Sequence, residues 1–315
     1  MNEGSEPTNT IRILGEHYNL SVQDCTLLSH GLNDSYLVAS NGDRYVLRIY
    51  RPNWRTGDEI SFELDYIQHL RDNLVGVSYP LPDTKGNLAI PYTLNGTATW
   101  AALFTFASGD EPKMNIADSR HMGVAAGKLH RVSDTFIPQN DRFTLDIPHL
   151  LEEPVQALEA ILKNYTTEQG IISSAARLLT KQINELKPQL DWGACHGDLH
   201  DWNAHISKAG EVTLFDFDCC GFGWRAYDIA VFRWAIRKEP NAEALWQAFL
   251  EGYTSERALN NADLEAVPIF TAIRDIWLAG LHAANPDVFG PNILNEHYLE
   301  DLCTSLQKYK VYHSI

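Results

Sequence analysis

His196-Gly197-Asp198-Leu199-His200-Asp201-Trp202-Asn203, followed after a short interval by Leu214-Phe215-Asp216-Phe217-Asp218, is the stretch on which the fold of this chain turns. Asp198 and Asn203 stand five residues apart in it. The intervening residues read as two short strands, 204–207 and 211–215, around a three-residue turn at Lys208-Ala209-Gly210. Such a hairpin returns the chain beside its own start and is expected to bring Asp216 close to Asn203. Apolar residues on either side of this loop recur at helical spacing, so the polar segment interrupts a helical region.

A carboxylate and hard oxygen ligands in this order are what phosphoryl transfer needs. That chemistry asks little covalent work of a protein. It requires an aspartate to orient an acceptor hydroxyl and take its proton, and oxygen ligands to hold Mg²⁺ on the phosphates. Asp198 is therefore read as the base, with Asn203 and Asp216 on the metal. The spacing D-x-x-x-x-N with a later metal-binding aspartate matches the protein-kinase catalytic loop. Isolated Asp and Asn residues in loops usually cap backbone instead. The ordered set with a hairpin inside it favours a site.

The first third of the chain supplies an independent test. Residues 23–50 are β-branched and aromatic runs broken by Gly31–Ser35 and by the hairpin signal Asn41-Gly42-Asp43, which predicts three antiparallel strands. Thr56 and Glu59 form a capping box ahead of Ile60, Leu64, Ile67 and Leu70, which predicts a helix from about Gly57. Two further extended runs, 88–93 and 97–107, complete a small lobe. The Gly31–Ser35 turn would lie over the phosphates, although one glycine also suits a plain hairpin. Arg48, on the strand Tyr45–Ile49, stands where a nucleotide-binding cation is expected. Glu63 lies on the apolar stripe of the following helix and needs a partner, because a lone buried charge is costly; Arg48 is the natural one.

Ser108-Gly109-Asp110-Glu111-Pro112 is turn-rich and ends the strands, which places a lobe boundary between residues 107 and 108. Beyond it the pattern predicts helices at about 115–131, 148–163, 167–186, 225–238, 241–255, 262–283 and 295–309. The fold expected is α+β, protein-kinase-like and bilobal. A small antiparallel-sheet lobe with one main helix (1–107) precedes a larger, mostly helical lobe (108–315).

With 315 residues, 44% of them hydrophobic, the chain can bury a sizeable core. Five cysteines in no C-x-x-C arrangement read as reduced thiols. A net charge of −16 disfavours nucleic acid and suits a cationic or zwitterionic small acceptor. No apolar run reaches the roughly 20 residues of a membrane helix, and Met1–Asn9 is polar and acidic, unlike a signal peptide. No membrane partner and a cytoplasmic location are expected. The oligomeric state is not written in the sequence.

These residues together resemble the aminoglycoside phosphotransferase and choline kinase superfamily, most closely its stress-response-kinase and homoserine-kinase-like branch. The resemblance spans nearly the whole chain. It is carried by Tyr45-Val46-Leu47-Arg48, Glu63, Leu129-His130, the His196–Asn203 loop, Asp216-Phe217-Asp218 and Arg225-Ala226-Tyr227-Asp228-Ile229-Ala230. It implies ATP, or GTP, and Mg²⁺, with nucleotide contacts from Gly31, Ser35, Arg48 and Glu63. It also implies Asp198 as base, Asn203 and Asp216 on the metal, His196 supporting the loop backbone and Asp228 bracing it. The sequence departs at Arg48, where better-studied members carry lysine. Arginine presents a wider fork and does not deprotonate. The acceptor is expected to be a hydroxyl of an amine-bearing molecule, with Asp201 and Trp202 as the first candidate contacts.

Four other readings compete. A Ser/Thr protein kinase of the same fold differs only in its acceptor. A zinc-dependent hydrolase would use the His196, His200 and His205 cluster, but leaves Gly31, Arg48 and Glu63 unexplained. Gly221-Phe222-Gly223-Trp224-Arg225-Ala226 matches a dinucleotide-binding G-x-G-x-x-A, but no second βαβ unit follows, so the glycines are expected to make a turn out of the Asp216 segment. A kinase fold kept as a binding module would not need the Asp198, Asn203 and Asp216 set.

Overall fold

Asn41 and Gly42 both take positive φ, 53° and 88°, the pair of left-handed residues that a tight hairpin needs. They join the second and third of the three antiparallel strands that the sequence predicts. The computed structural model describes residues 7–313. Of the polar Met1–Asn9 segment, residues 1–6 lie outside the described residues. In chain order the elements begin with α1 (Pro7–Tyr18), β1 (Val22–His30), β2 (Asn33–Ser40), β3 (Asp43–Tyr50), α2 (Gly57–Asp72), β4 (Pro80–Leu81), β5 (Ile90–Leu94) and β6 (Thr97–Thr105). They continue with α3 (Ile116–Ser133), β7 (Thr144–Leu145), α4 (Glu153–Ile161), α5 (Thr166–Leu186), β8 (Trp192–Cys195), β9 (Ala204–Ile206) and β10 (Val212–Leu214). Last come β11 (Gly221–Trp224), α6 (Arg225–Ile236), α7 (Ala242–Glu256), α8 (Asn261–Ala284), α9 (Pro286–Phe289) and α10 (Glu296–His313).

The chain divides into two compact units. The first holds an antiparallel sheet in the order β1-β2-β3-β6-β4, with β5 also on β6. Leu47 and Ile49 of β3 pack with Ile13 and Leu14 of α1, Tyr36, Val38 and Leu103 on one face. Strand side chains alternate faces, so Arg48 and Tyr50 point to the other. There they meet Glu63 of α2, whose buried stripe also carries Ile60, Leu64, Ile67 and Leu70. The Thr56–Glu59 capping box forms in full. Helix α1 is absent from the sequence reading.

This unit runs to Glu111 and takes back two later segments, Thr135–Arg142 and Ala204–Phe217. The boundary expected at 107/108 admitted one crossing only. Backbone hydrogen bonds explain the return of the β9–β10 hairpin: Leu214 N–H donates to the Gly76 carbonyl at 2.9 Å, and Ile206 N–H to that of Asp110 at 2.8 Å. Phe136 likewise sits edge-on against Phe62, with ring centroids 5.4 Å apart.

The second unit is mainly helical. Its helices α3 to α8 and α10 fall within a few residues of the predicted spans; the one predicted over 148–163 opens with a π-helical turn at Pro148–Glu152 that runs directly into α4. It also contains a small sheet, β7-β11-β8, that sequence periodicity did not announce. Gly221-Phe222-Gly223-Trp224 is therefore a strand, not the expected turn. A Cβ on Gly223 would stand 2.5 Å from that of Leu145, so this strand reaches β7 only because glycine lies at the contact. No helix among the described residues is long and apolar enough to cross a membrane.

Candidate active site

In the helical unit, β8 delivers the chain into the Asp198 loop, and that loop is held by its backbone. Asp228, in the first turn of α6, accepts the N–H of His196 and the N–H of Gly197, each at 2.7 Å. Gly197 has φ +83°, and a Cβ there would lie 2.0 Å from the Cys219 carbonyl; no other residue type fits. His130 Nε2 donates to Asp228 at 3.0 Å, while the Tyr253 hydroxyl donates to His130 Nδ1 at 2.9 Å. Burial pushes the His130 pKa down against the upward pull of Asp228, in keeping with a neutral ring that receives at Nδ1 and gives at Nε2. His130, Cys195 and Asp228 converge closely enough to hold a metal. The Cys195 thiol is pushed far up by burial and Asp228 is filled by N–H donors, so the cluster serves as a brace.

Asp198 itself receives three side chains. Arg274 Nη2 donates to Oδ1 at 2.5 Å, His200 Nε2 lies 3.3 Å from the same oxygen, and the Asn203 amide nitrogen donates to Oδ2 at 3.2 Å. Burial alone would raise the carboxyl; the Arg274 guanidinium, then the His200 and His196 rings, override it and hold Asp198 well below the usual carboxylate range. The Trp202 N–H donates to His200 Nδ1, so a neutral His200 carries its proton on Nε2, facing Asp198. The Asn203 nitrogen also donates to the Asp198 carbonyl at 3.0 Å. The Asp198 carbonyl and its Oδ2 are both acceptors, so the pair of them sets the amide's orientation, and its oxygen is the end available to a cation.

In the sheet unit, Arg48 bridges two carboxylates. Nη1 donates to Glu63 Oε1 at 2.8 Å and Nη2 to Asp216 Oδ1 at 3.0 Å, while the Tyr50 hydroxyl donates to Glu63 Oε2 at 3.3 Å. Glu63 is wholly buried and Asp216 half-exposed at its carboxylate. Asp216 has φ 62°, a left-handed backbone that few non-glycine residues take, aspartate among those that do. Ser35 is the cross-strand neighbour of Arg48. Gly31 has ordinary φ and room for a side chain, so the turn does not itself demand glycine. Its flanks are tied by His30 Nδ1 to Asp34 Oδ1 at 2.6 Å.

Asp216 and Asn203 are both hard oxygen donors of the kind Mg²⁺ selects, which fits the metal role expected of them. The imidazole cluster fares differently. His196 Nδ1 accepts the Asp198 N–H, His200 Nδ1 accepts from Trp202, and His205 Nδ1 bonds the Ala107 carbonyl at 2.6 Å. None belongs to a converging ligand group among the described residues. Asp201 is buried and Trp202 is 69% exposed. Arg274 escaped the sequence reading entirely. It lies 76 residues from Asp198, and only its place on a predicted apolar helix could have flagged it.

Known proteins agree with this picture in class. Residues 24–260 match a family described as phosphotransferase enzymes. An uncharacterised protein of Deinococcus radiodurans is 39% identical over 93% of this chain and 87% of its own length. An amicoumacin kinase solved in complex with AMP-PNP, Ca²⁺ and Ami superposes with a TM-score of 0.81 at 21% identity, covering 98% of this chain and 94% of that one. The microcompartment-associated aminopropanol kinase gives 0.79 at 24%, covering 96% and 95%. The α+β, protein-kinase-like fold is shared with both.

Proposed function

Because this chain belongs to the phosphotransferase enzyme family, we propose that it moves the γ-phosphoryl group of ATP or GTP to a hydroxyl of a small, amine-bearing molecule. The observation that carries the reading is the set of contacts at Asp198. An ionised carboxylate stands on a braced loop, and the Asn203 amide bonded to it keeps its oxygen for a metal.

Asp198 orients the acceptor hydroxyl and takes its proton as the new P–O bond forms. A carboxyl held this low is a weak base at rest, which suits a step whose main demand is positioning. Asn203 and Asp216 would hold Mg²⁺, which when bound neutralises charge on the phosphate oxygens. Arg48, steadied by Glu63, contacts the nucleotide phosphates, with Ser35 and the Gly31 turn beside them. The wider fork of arginine allows it to keep Glu63 while reaching a second anion. A kinase of the same fold acts on aminopropanol, which carries an amine and a hydroxyl; a net charge of −16 favours such an acceptor here.

The test is transfer from labelled ATP or GTP with Mg²⁺ to amino-alcohols, hydroxy-amino acids, aminoglycosides and a protein bearing Ser and Thr. Label is expected on an amine-bearing alcohol, falling to a residual level in Asp198→Asn while nucleotide binding persists. Label on the protein alone would replace the acceptor class. Near-normal turnover in Asp198→Asn would refute the base.

A further inference from the structure

Arg274 has no assigned part in this chemistry. It sits on α8 with 3% of its surface exposed, and its guanidinium is fixed from several sides. The Trp277 ring lies 4.5 Å from its central carbon, the Trp234 ring 5.5 Å away, and Nη1 reaches the Tyr227 hydroxyl at 3.5 Å. Aromatic faces set the plane of the fork, and the carboxylate of Asp198 sets its direction. A buried ion pair is a poor device for stability alone, because desolvating both charges offsets most of their attraction. Its place on the proposed base suggests another purpose.

The two oxygens of Asp198 are not equivalent. Oδ1 carries the guanidinium at 2.5 Å with His200 Nε2 at 3.3 Å, whereas Oδ2 has one neutral amide donor, Asn203, at 3.2 Å. An oxygen engaged by a charged donor at that distance is the poorer proton acceptor. We propose that Arg274 is a positioning residue for phosphoryl transfer, locking Oδ1 so that Asp198 keeps one orientation and receives the acceptor's proton on Oδ2. In that step the acceptor O–H bond breaks as its oxygen bonds the γ-phosphorus. The bond from that phosphorus to the bridging oxygen breaks, its electron pair leaves on the nucleoside diphosphate, and the proton passes to Oδ2. The inference rests on the assignment of Asp198 as base in the proposed function.

The experiment measures kcat and KM for the unsubstituted protein, Arg274→Lys and Arg274→Met, and repeats Arg274→Met in an Asp198→Asn background. Arg274→Met is expected to lower kcat by about 10²-fold, as misplacement of a reacting group does, with the nucleotide KM unchanged. Arg274→Lys keeps the charge without the fork and should lose part of kcat at unchanged thermal midpoint. Residual transfer in Asp198→Asn should not fall further when Arg274→Met is added, because residues acting as a unit are non-additive. Additive losses, or wild-type kcat in either folded single variant, would overturn the proposal. If Arg274→Met does not fold, Arg274→Lys decides. Absence of transfer by the unsubstituted protein would sink the function itself, a result distinct from active protein indifferent to Arg274.

Discussion

Arg48 Nη2 donates to Asp216 Oδ1 at 3.0 Å across 168 residues of chain, while Nη1 of the same guanidinium holds Glu63. One buried cation thus joins α2 to the end of the β9–β10 hairpin. Arg48→Met leaves Glu63 buried without its charged partner, and removing one partner of a buried pair costs about 3–5 kcal/mol. Urea unfolding should show that loss, and Glu63→Gln in the same protein should recover part of it. A midpoint equal to the wild type would mean that the pair carries no such penalty.

Asp216 is the expected metal ligand on the sheet unit. ATP or GTP with Mg²⁺ should raise the thermal midpoint above that with either component alone, since preferential binding to the native state must stabilise it. Chelation with EDTA should remove the increment, as should Asp216→Ala. An increment of full size in Asp216→Ala would take the residue off the metal.

The loop brace is testable without substrate. Asp228→Asn replaces one of two accepting oxygens with a donor facing the N–H of His196 or Gly197, and an unsatisfied buried group costs about 1–3 kcal/mol. Gly197→Ala adds a Cβ against the Cys219 carbonyl at a left-handed φ. Both variants should show a lowered urea midpoint and depressed kcat. A Gly197→Ala protein with wild-type values of both would show that the loop can be rebuilt elsewhere.

His130 gives a pH dependence of defined sign. Its folded pKa lies below the unfolded value of about 6.5. The unfolded chain therefore binds more protons in the window below that value, and stability is full above pH 6.5 and lost as the pH falls through it. The urea midpoint should decline between pH 7 and pH 5.5, and this slope should shrink in His130→Gln. A slope unchanged by the substitution would place the titration elsewhere.

Much of the candidate site's local geometry was legible because its determinants are local. The spacing of Asp198 and Asn203, the Lys208–Gly210 turn, the Thr56–Glu59 box and the helical stripe bearing Glu63 each lie within one loop or a few turns. Their geometry follows from backbone periods and hydrogen-bonding rules. The pairing of Arg48 with Glu63 followed from the same logic, since a carboxylate on an apolar stripe must find a cation.

Other features were decided only when distant surfaces met. The pattern marks α8 as apolar, but not which loop its Arg274 would face, and 76 residues of intervening chain hide that choice. The strands β7, β8 and β11 span two to four residues each, too short for alternation to register, and exist because their edges pair. Likewise the β9–β10 hairpin joins the sheet unit through backbone bonds to Gly76 and Asp110, groups every sequence possesses. The sequence by itself determined the chemistry that the loops could offer and the elements that carry them. Tertiary structure alone decided which buried partners steady that chemistry, because burial free energy is non-directional while the hydrogen bonds that consume it are not.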